Sequence, residues 1–195
     1  MSSAFAQQTP DAASEAFSPD ELRRLDAGQL VTRRTSQRRG QLSLIGGSSW
    51  QVVEQPADVT WRALQDRTAY TRMLPATEEA HVVSQHGDES VMRIRHAVGF
   101  VNAQYYLRMT FDDERRDIAF RLDRQRPHDV RAAWGFIQVR PYEDSDRRSL
   151  VSYGVMLDPG GGMLGGVLRG QIHDWVLRVP STIRGYLHGS GAHRY

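Results

Sequence analysis

The sequence predicts an α+β fold in which a curved antiparallel sheet is covered by a long α-helix near the C-terminus. Three observations carry this. From residue 80 to residue 157 short segments alternate apolar and polar side chains with period two, separated by turn-forming residues, as in antiparallel strands with one covered and one wet face. From Met163 to Leu187 the period changes, and Leu164, Leu168, Ile172, Trp175, Val176, Val179, Ile183 and Leu187 recur at steps of three and four, on one helical face. Arg169, Gln171, Asp174, Arg178, Thr182 and Arg184 fall largely on the other side, so the apolar stripe must be buried, and the concave face of a bent sheet is its natural partner.

Composition narrows the function classes. A chain of 195 residues suits one domain with a sizeable core. The isoelectric point is about 9.2, but the formal charge is only +2, a near balance that argues against nucleic-acid binding. Every basic residue other than histidine is Arg, which excludes a lysine Schiff base, and the absence of Cys excludes disulfides, thiolate catalysis and cysteine metal sites. No apolar run reaches the roughly 18 residues of a membrane-spanning helix. Ser3-Ala4-Phe5-Ala6 resembles the small-residue end of a secretion signal with nothing before it, so the expectation is a cytoplasmic protein and the alternative a removed signal.

Taken in order, the elements are these. Residues 1–40 read as an N-terminal extension, largely disordered, with one short helix near 19–27. That helix is announced by a capping box with proline at its first position, Ser18-Pro19-Asp20-Glu21, and ended by Gly28. Leu30 to Arg39 is Arg-rich (Arg33, Arg34, Arg38, Arg39). A basic linker and an edge strand both fit, and the functional alternative is a patch that makes transient contact with acidic lipid headgroups. Gln41 to Glu54 reads as a strand bent at Gly46-Gly47. Pro56-Ala57-Asp58 opens a helix carrying Val59, Trp61 and Leu64, and Tyr70, Met73 and Leu74 form a second short turn stopped by Pro75. Strands follow at 80–84, 90–98, 104–111, 118–122, 132–139 and 149–157. Pro180 interrupts the final helix at a cost of about 3 kcal/mol. Burial of each large apolar side chain returns roughly 1.5–3 kcal/mol. A break near Val179–Pro180 with helix on both sides is therefore expected, and Gly189 marks the end before a tail at 190–195.

The order of strand, two short helices, meandering strands and long C-terminal helix resembles the START-like superfamily. So do Ala57-Asp58-Val59-Thr60-Trp61-Arg62-Ala63-Leu64-Gln65-Asp66, Tyr70 and Met73-Leu74-Pro75, with Trp134-Gly135 and Val151-Ser152-Tyr153 as late strands. The likeness is to its polyketide cyclase/dehydrase and coenzyme Q-binding (Coq10-like) branch, over residues 41–189. It implies a helix-grip fold with a hydrophobic tunnel between sheet and helix. The superfamily contains carriers, binders and cyclases, so the resemblance implies no single reaction.

The candidate wall follows from strand alternation applied to that tunnel. Met92, Ile94 and His96 share one face, as do Tyr105, Leu107 and Met109. Phe120, Leu122, Trp134, Tyr153 and Val155 continue the wall, and Leu168, Ile172, Trp175, Val176 and Val179 close it from the helix. His96 is either a polar contact or general base in the tunnel, or a satisfied histidine at the sheet edge. Tyr105 and Tyr153 either donate a hydroxyl to the pocket or bond to backbone. Arg93, Arg95, Arg108 and Arg121 should form the solvated outer face; were two of them inside, the ligand would be acidic and the wall inverted. The loop Gly160 to Gly165 matches G-x-G-x-x-G, but no following strand closes a dinucleotide-binding unit, and it reads as a hinge. His81 and His86 lack further metal-ligand spacing. The expected function is non-catalytic binding or transport of a hydrophobic small molecule or lipid, such as a quinone, isoprenoid or polyketide, with no metal and no cofactor. The alternatives are a cyclase/aromatase using the same cavity, with His96 or a tyrosine as acid–base, and a protein-interaction module whose cavity is filled by its own side chains.

Overall fold

The structure is a computed structural model that describes residues 16–98, 101–160 and 169–195. The chain begins with helix α1 (Pro19–Asp26), whose capping box forms: the Glu21 amide donates to Ser18 Oγ, and the Ser18 amide donates to the Glu21 carboxylate at 2.8 Å. Strands β1 (Val31–Arg39) and β2 (Leu42–Val53) follow, then α2 (Ala57–Gln65), a short 3₁₀ turn and α3 (Tyr70–Met73). A meander comes next: β3 (Thr77–His86), β4 (Glu89–Val98), β5 (Val101–Asp112), β6 (Asp117–Leu122), β7 (Ala132–Pro141) and β8 (Ser149–Asp158). Helices α4 (Arg169–Val176) and α5 (Val179–His188) end the fold.

All eight strands join one antiparallel sheet in the order β1-β2-β8-β7-β6-β5-β4-β3. Strand β2 pairs with the last strand, so α2 and α3 must carry the chain from there to β3 at the opposite edge. Gly46 and Gly47 permit the tight coiling of β2. A Cβ on Gly46 would stand 1.9 Å from the Val155 carbonyl oxygen, and one on Gly47 would stand 2.0 Å from that of Arg33. The main core lies on the concave face, where Ile183 and Leu187 of α5 pack with Val53, Leu64 and Met73. A second, smaller core forms outside β2, where Leu25 of α1, Val31, Trp50, Val52 and Tyr142 gather.

Several expectations are corrected. The Arg-rich stretch takes the edge-strand alternative, as β1, and what changes is the start of the sheet, which lies at Val31 rather than at residue 41. Arg33 bonds Glu21 and Arg34 pairs with Asp174, which leaves Arg38 and Arg39 exposed in the β1–β2 hairpin. Phe17, assigned to the disordered lead, instead sets its ring edge-on to Trp50 at 5.4 Å; residues 1–15 lie outside the described residues. The 190–195 tail folds back on the domain, and the Tyr195 hydroxyl donates to Asp66 at 2.7 Å. The final helix does break near Val179–Pro180 with helix on both sides, as expected, and the gap falls at Leu177–Arg178. Pro180 there occupies the first turn of α5, where its missing N–H costs nothing.

Candidate functional site

A cavity of about 180 Å³ lies between the concave face of the sheet and the C-terminal helices. The register explains its walls. Met109, Phe120, Gly135 and Val155 form one row across β5, β6, β7 and β8, and Ile137 and Tyr153 pair in the next. Gly135 makes room for its neighbour, because a Cβ there would lie 2.5 Å from Phe120 Cζ. The Phe120 ring can therefore lie flat against Tyr153, with centroids 6.0 Å apart. Ile94, His96, Tyr105 and Leu107 continue the wall on β4 and β5, and Ile172, Trp175, Val176 and Val179 roof it from α4 and α5.

Twelve of the sequence-predicted residues meet on this cavity: Ile94, His96, Tyr105, Leu107, Met109, Phe120, Tyr153, Val155, Ile172, Trp175, Val176 and Val179. Met92 and Leu122 share the inward face but are absorbed into the core on either side of Leu107. Trp134 is not on the wall. The alternation that turns Ala133 and Ile137 inward puts Trp134 on the opposite face, beside Met156 of β8. Leu168 lies outside the described residues, as do Gly162 and Gly165 of the glycine loop. The space is open rather than filled with side chains, which corrects the filled-cavity alternative.

The sequence reading missed Tyr70, Leu74 and Pro75 at the end of α3, and Ala103, Val130, Ala133, Ile137, Leu157, Pro159 and Gln171. For Ala103, Ala133, Ile137 and Leu157 the signal existed, since each continues the same period-two alternation; the others come from loops and helix ends that carry no such period.

The polar groups of the wall are few and mostly committed. Thr77 Oγ1 donates its hydrogen to the Pro75 carbonyl at 3.3 Å, so it must accept from His96 Nδ1 at 3.1 Å. His96 Nε2 is then an acceptor, and takes the Tyr105 hydroxyl hydrogen at 2.6 Å. The Trp175 ring stands edge-on to the imidazole at 4.6 Å. Burial disfavours the imidazolium and pushes the His96 pKa down to about 4, although the Ala76 and Pro75 backbone pulls the other way. Burial likewise pushes the Tyr105 and Tyr153 phenols well above their ordinary range, and at Tyr153 the nearby Tyr105 adds to the shift. The Tyr70 hydroxyl donates to the Leu64 carbonyl at 2.7 Å. The Tyr153 hydroxyl has no hydrogen-bond partner among the described residues, and the buried Trp175 indole N–H has none either.

No Asp, Glu or Arg lines the cavity among the described residues. Arg93, Arg95 and Arg108 pair on the other side of the sheet with Glu79, Glu78 and Asp123, so the register is not inverted. Among the described residues no three His, Asp or Glu side chains gather as metal ligands, and no helix is long and apolar enough to cross a membrane.

Comparison with known proteins agrees with this geometry. The Zhui aromatase/cyclase from a Streptomyces species superposes with a TM-score of 0.63 at 20% identity, covering 77% of this chain and 95% of that one. A START superfamily protein from Mycobacterium smegmatis gives 0.61 at 12% identity, covering 73% and 97%. A STAR-related lipid transfer protein from Xanthomonas axonopodis gives 0.59 at 14% identity, covering 80% and 98%. These likenesses show the START-like helix-grip fold. No curated protein matches the chain by sequence. Residues 53–179, well over half of the chain, match the family described as polyketide cyclase/dehydrase and lipid transport, and the match does not single out a coenzyme Q-binding branch. On that match the chain belongs to the polyketide cyclase/dehydrase and lipid-transport family.

Proposed function

We propose that the protein binds a hydrophobic small molecule or lipid, of quinone, isoprenoid or polyketide type, in this cavity without transforming it. The observation that carries the reading is the state of His96. A general base works best with a pKa near the working pH and a free lone pair. His96 has neither, because burial lowers its pKa to about 4 and its Nε2 lone pair is taken by Tyr105. Apolar walls supply affinity instead, and a small number of hydroxyl groups orient the guest.

The test is native mass spectrometry of freshly purified protein, followed by solvent extraction and identification of what is released. A bound neutral lipophile is expected, and it should be lost in Val176→Trp, which fills the roof. Protein that stays empty in cell extract and takes up no lipophile when challenged would overturn the reading. The second reading is a cyclase in which Tyr105 and His96 act as an acid–base pair, favoured by their 2.6 Å contact on the cavity wall. It requires turnover of a polyketide-like substrate that disappears in His96→Ala.

A further inference from the structure

Resting on that binding reading, we infer that the guest is an uncharged molecule of about single-ring size carrying one carbonyl oxygen, which accepts a hydrogen bond from the Tyr153 hydroxyl. Size comes first. An engineered cavity of about 150 Å³ holds benzene, so the 180 Å³ of this partly open cavity seats one ring with a short substituent. Charge comes second. With no charged side chain on the described wall, a carboxylate or phosphate would be buried without a counter-ion, which costs far more than apolar contact returns.

The hydrogen-bond inventory then selects the functional group. Tyr70 has spent its hydroxyl hydrogen on Leu64, and Tyr105 has spent its own on His96. Tyr153 has spent its own on none of the described residues, and because burial keeps its phenol protonated it remains a donor. The Trp175 N–H has no acceptor among the described residues either, but it is covered by neighbouring atoms, which leaves Tyr153 as the donor a guest can reach. A wall with one unspent donor and no free base matches an acceptor such as a ketone. It leaves a pure hydrocarbon unrewarded for desolvating that hydroxyl.

Three probes of nearly equal shape isolate the claim: acetophenone, ethylbenzene and phenylacetate, each titrated by calorimetry and by ligand-observed NMR. The neutral dye N-phenyl-1-naphthylamine, a naphthalene joined to a phenyl ring through nitrogen, serves as a general probe of the cavity. Acetophenone should bind about 3- to 10-fold more tightly than ethylbenzene, the worth of one net hydrogen bond. Phenylacetate should be weaker than acetophenone by more than about tenfold. In Tyr153→Phe the ratio of ketone to hydrocarbon affinity should fall toward one. Since that ratio is read within one variant, a general loosening of the fold cancels from it.

Equal affinity for acetophenone and ethylbenzene, binding of phenylacetate as tight as the ketone, or an unchanged ratio in Tyr153→Phe would each overturn the inference. If the dye binds while all three single-ring probes do not, the size argument falls and the hydrophobic-binding reading survives. If nothing binds, both fall.

Discussion

The environment of His96 makes the fold acid-sensitive in a defined window. In the folded protein the imidazole holds its pKa near 4, against an ordinary value of 6.5. Above pH 6.5 both folded and unfolded chains carry the neutral ring, and the shift has no effect. Between 6.5 and 4 the unfolded chain takes up a proton that the folded one refuses, so stability falls as pH falls. At 1.36 kcal/mol per unit the whole shift is worth about 3 kcal/mol, of which about 2 kcal/mol is lost between pH 7.5 and pH 5. His96 is buried, with 8% of its surface exposed, so solvent screening does not dilute the effect. Glu21, Glu54 and Asp66 have lowered pKa values, and their stabilisation is lost only as pH falls through the carboxylate range, which keeps the upper window for histidine. The assay is urea unfolding followed by tryptophan fluorescence at both pH values, in the native protein and in His96→Gln. The native protein should lose about 2 kcal/mol more than the variant on acidification. Equal losses in the two proteins would refute the assignment of a buried, neutral imidazole.

Other perturbations test the parts of the fold that shape the cavity. Gly46→Ala should destabilise by about 3 kcal/mol, because its Cβ would strike the Val155 carbonyl and its φ of 150° suits glycine; a chemical-denaturation midpoint within error of the native one would contradict this. Tyr195→Phe removes the hydroxyl that donates to Asp66 and contacts Tyr186, and should cost about 1 kcal/mol in the same experiment. In hydrogen exchange the amides of α4 should exchange faster than those of α5. Only His173 and Val176 of α4 are buried, whereas α5 buries Val179, Pro180, Ile183, Tyr186 and Leu187; equal protection would mean the two helices open as one unit.

Much of the architecture was legible because each element states itself in a local pattern. The capping box at Ser18, the paired glycines at the bend of β2 and the alternation of β4 and β5 are physical requirements of the conformations they adopt. β1 was not legible in the same way. Val-Thr-Arg-Arg-Thr-Ser-Gln-Arg-Arg has no apolar alternation, because an edge strand exposed along most of its length buries little beyond Val31. Its partners are backbone groups of β2 and the side chains of Glu21 and Asp174, all distant in sequence or assigned to other elements. Pro180 stands on the legible side: the cost of proline inside a helix predicts a break with helix on both sides, and α5 starts afresh with Pro180 in its first turn.

The site divides along the same line. Which residues face inward follows from parity, and Trp134 was misplaced because hydrophobicity was allowed to outrank it: Ala133 and Ile137 hold the inward positions, and the larger ring takes the opposite face. What each inward polar group can still do is not a property of parity. His96 and Tyr153 stand on the same wall, yet Thr77 and Tyr105 occupy both nitrogens of one while the hydroxyl of the other is unclaimed among the described residues. Since Thr77 lies 19 residues before His96 and Tyr105 lies 9 after it, the commitment arises only when β3 and β5 flank β4. The choice between a catalyst and a container therefore rests on a three-strand arrangement of hydrogen bonds. Within it the histidine, the residue that most suggests chemistry in the sequence, is held neutral, while outside it, on β8, the hydroxyl of Tyr153 has no partner among the described residues.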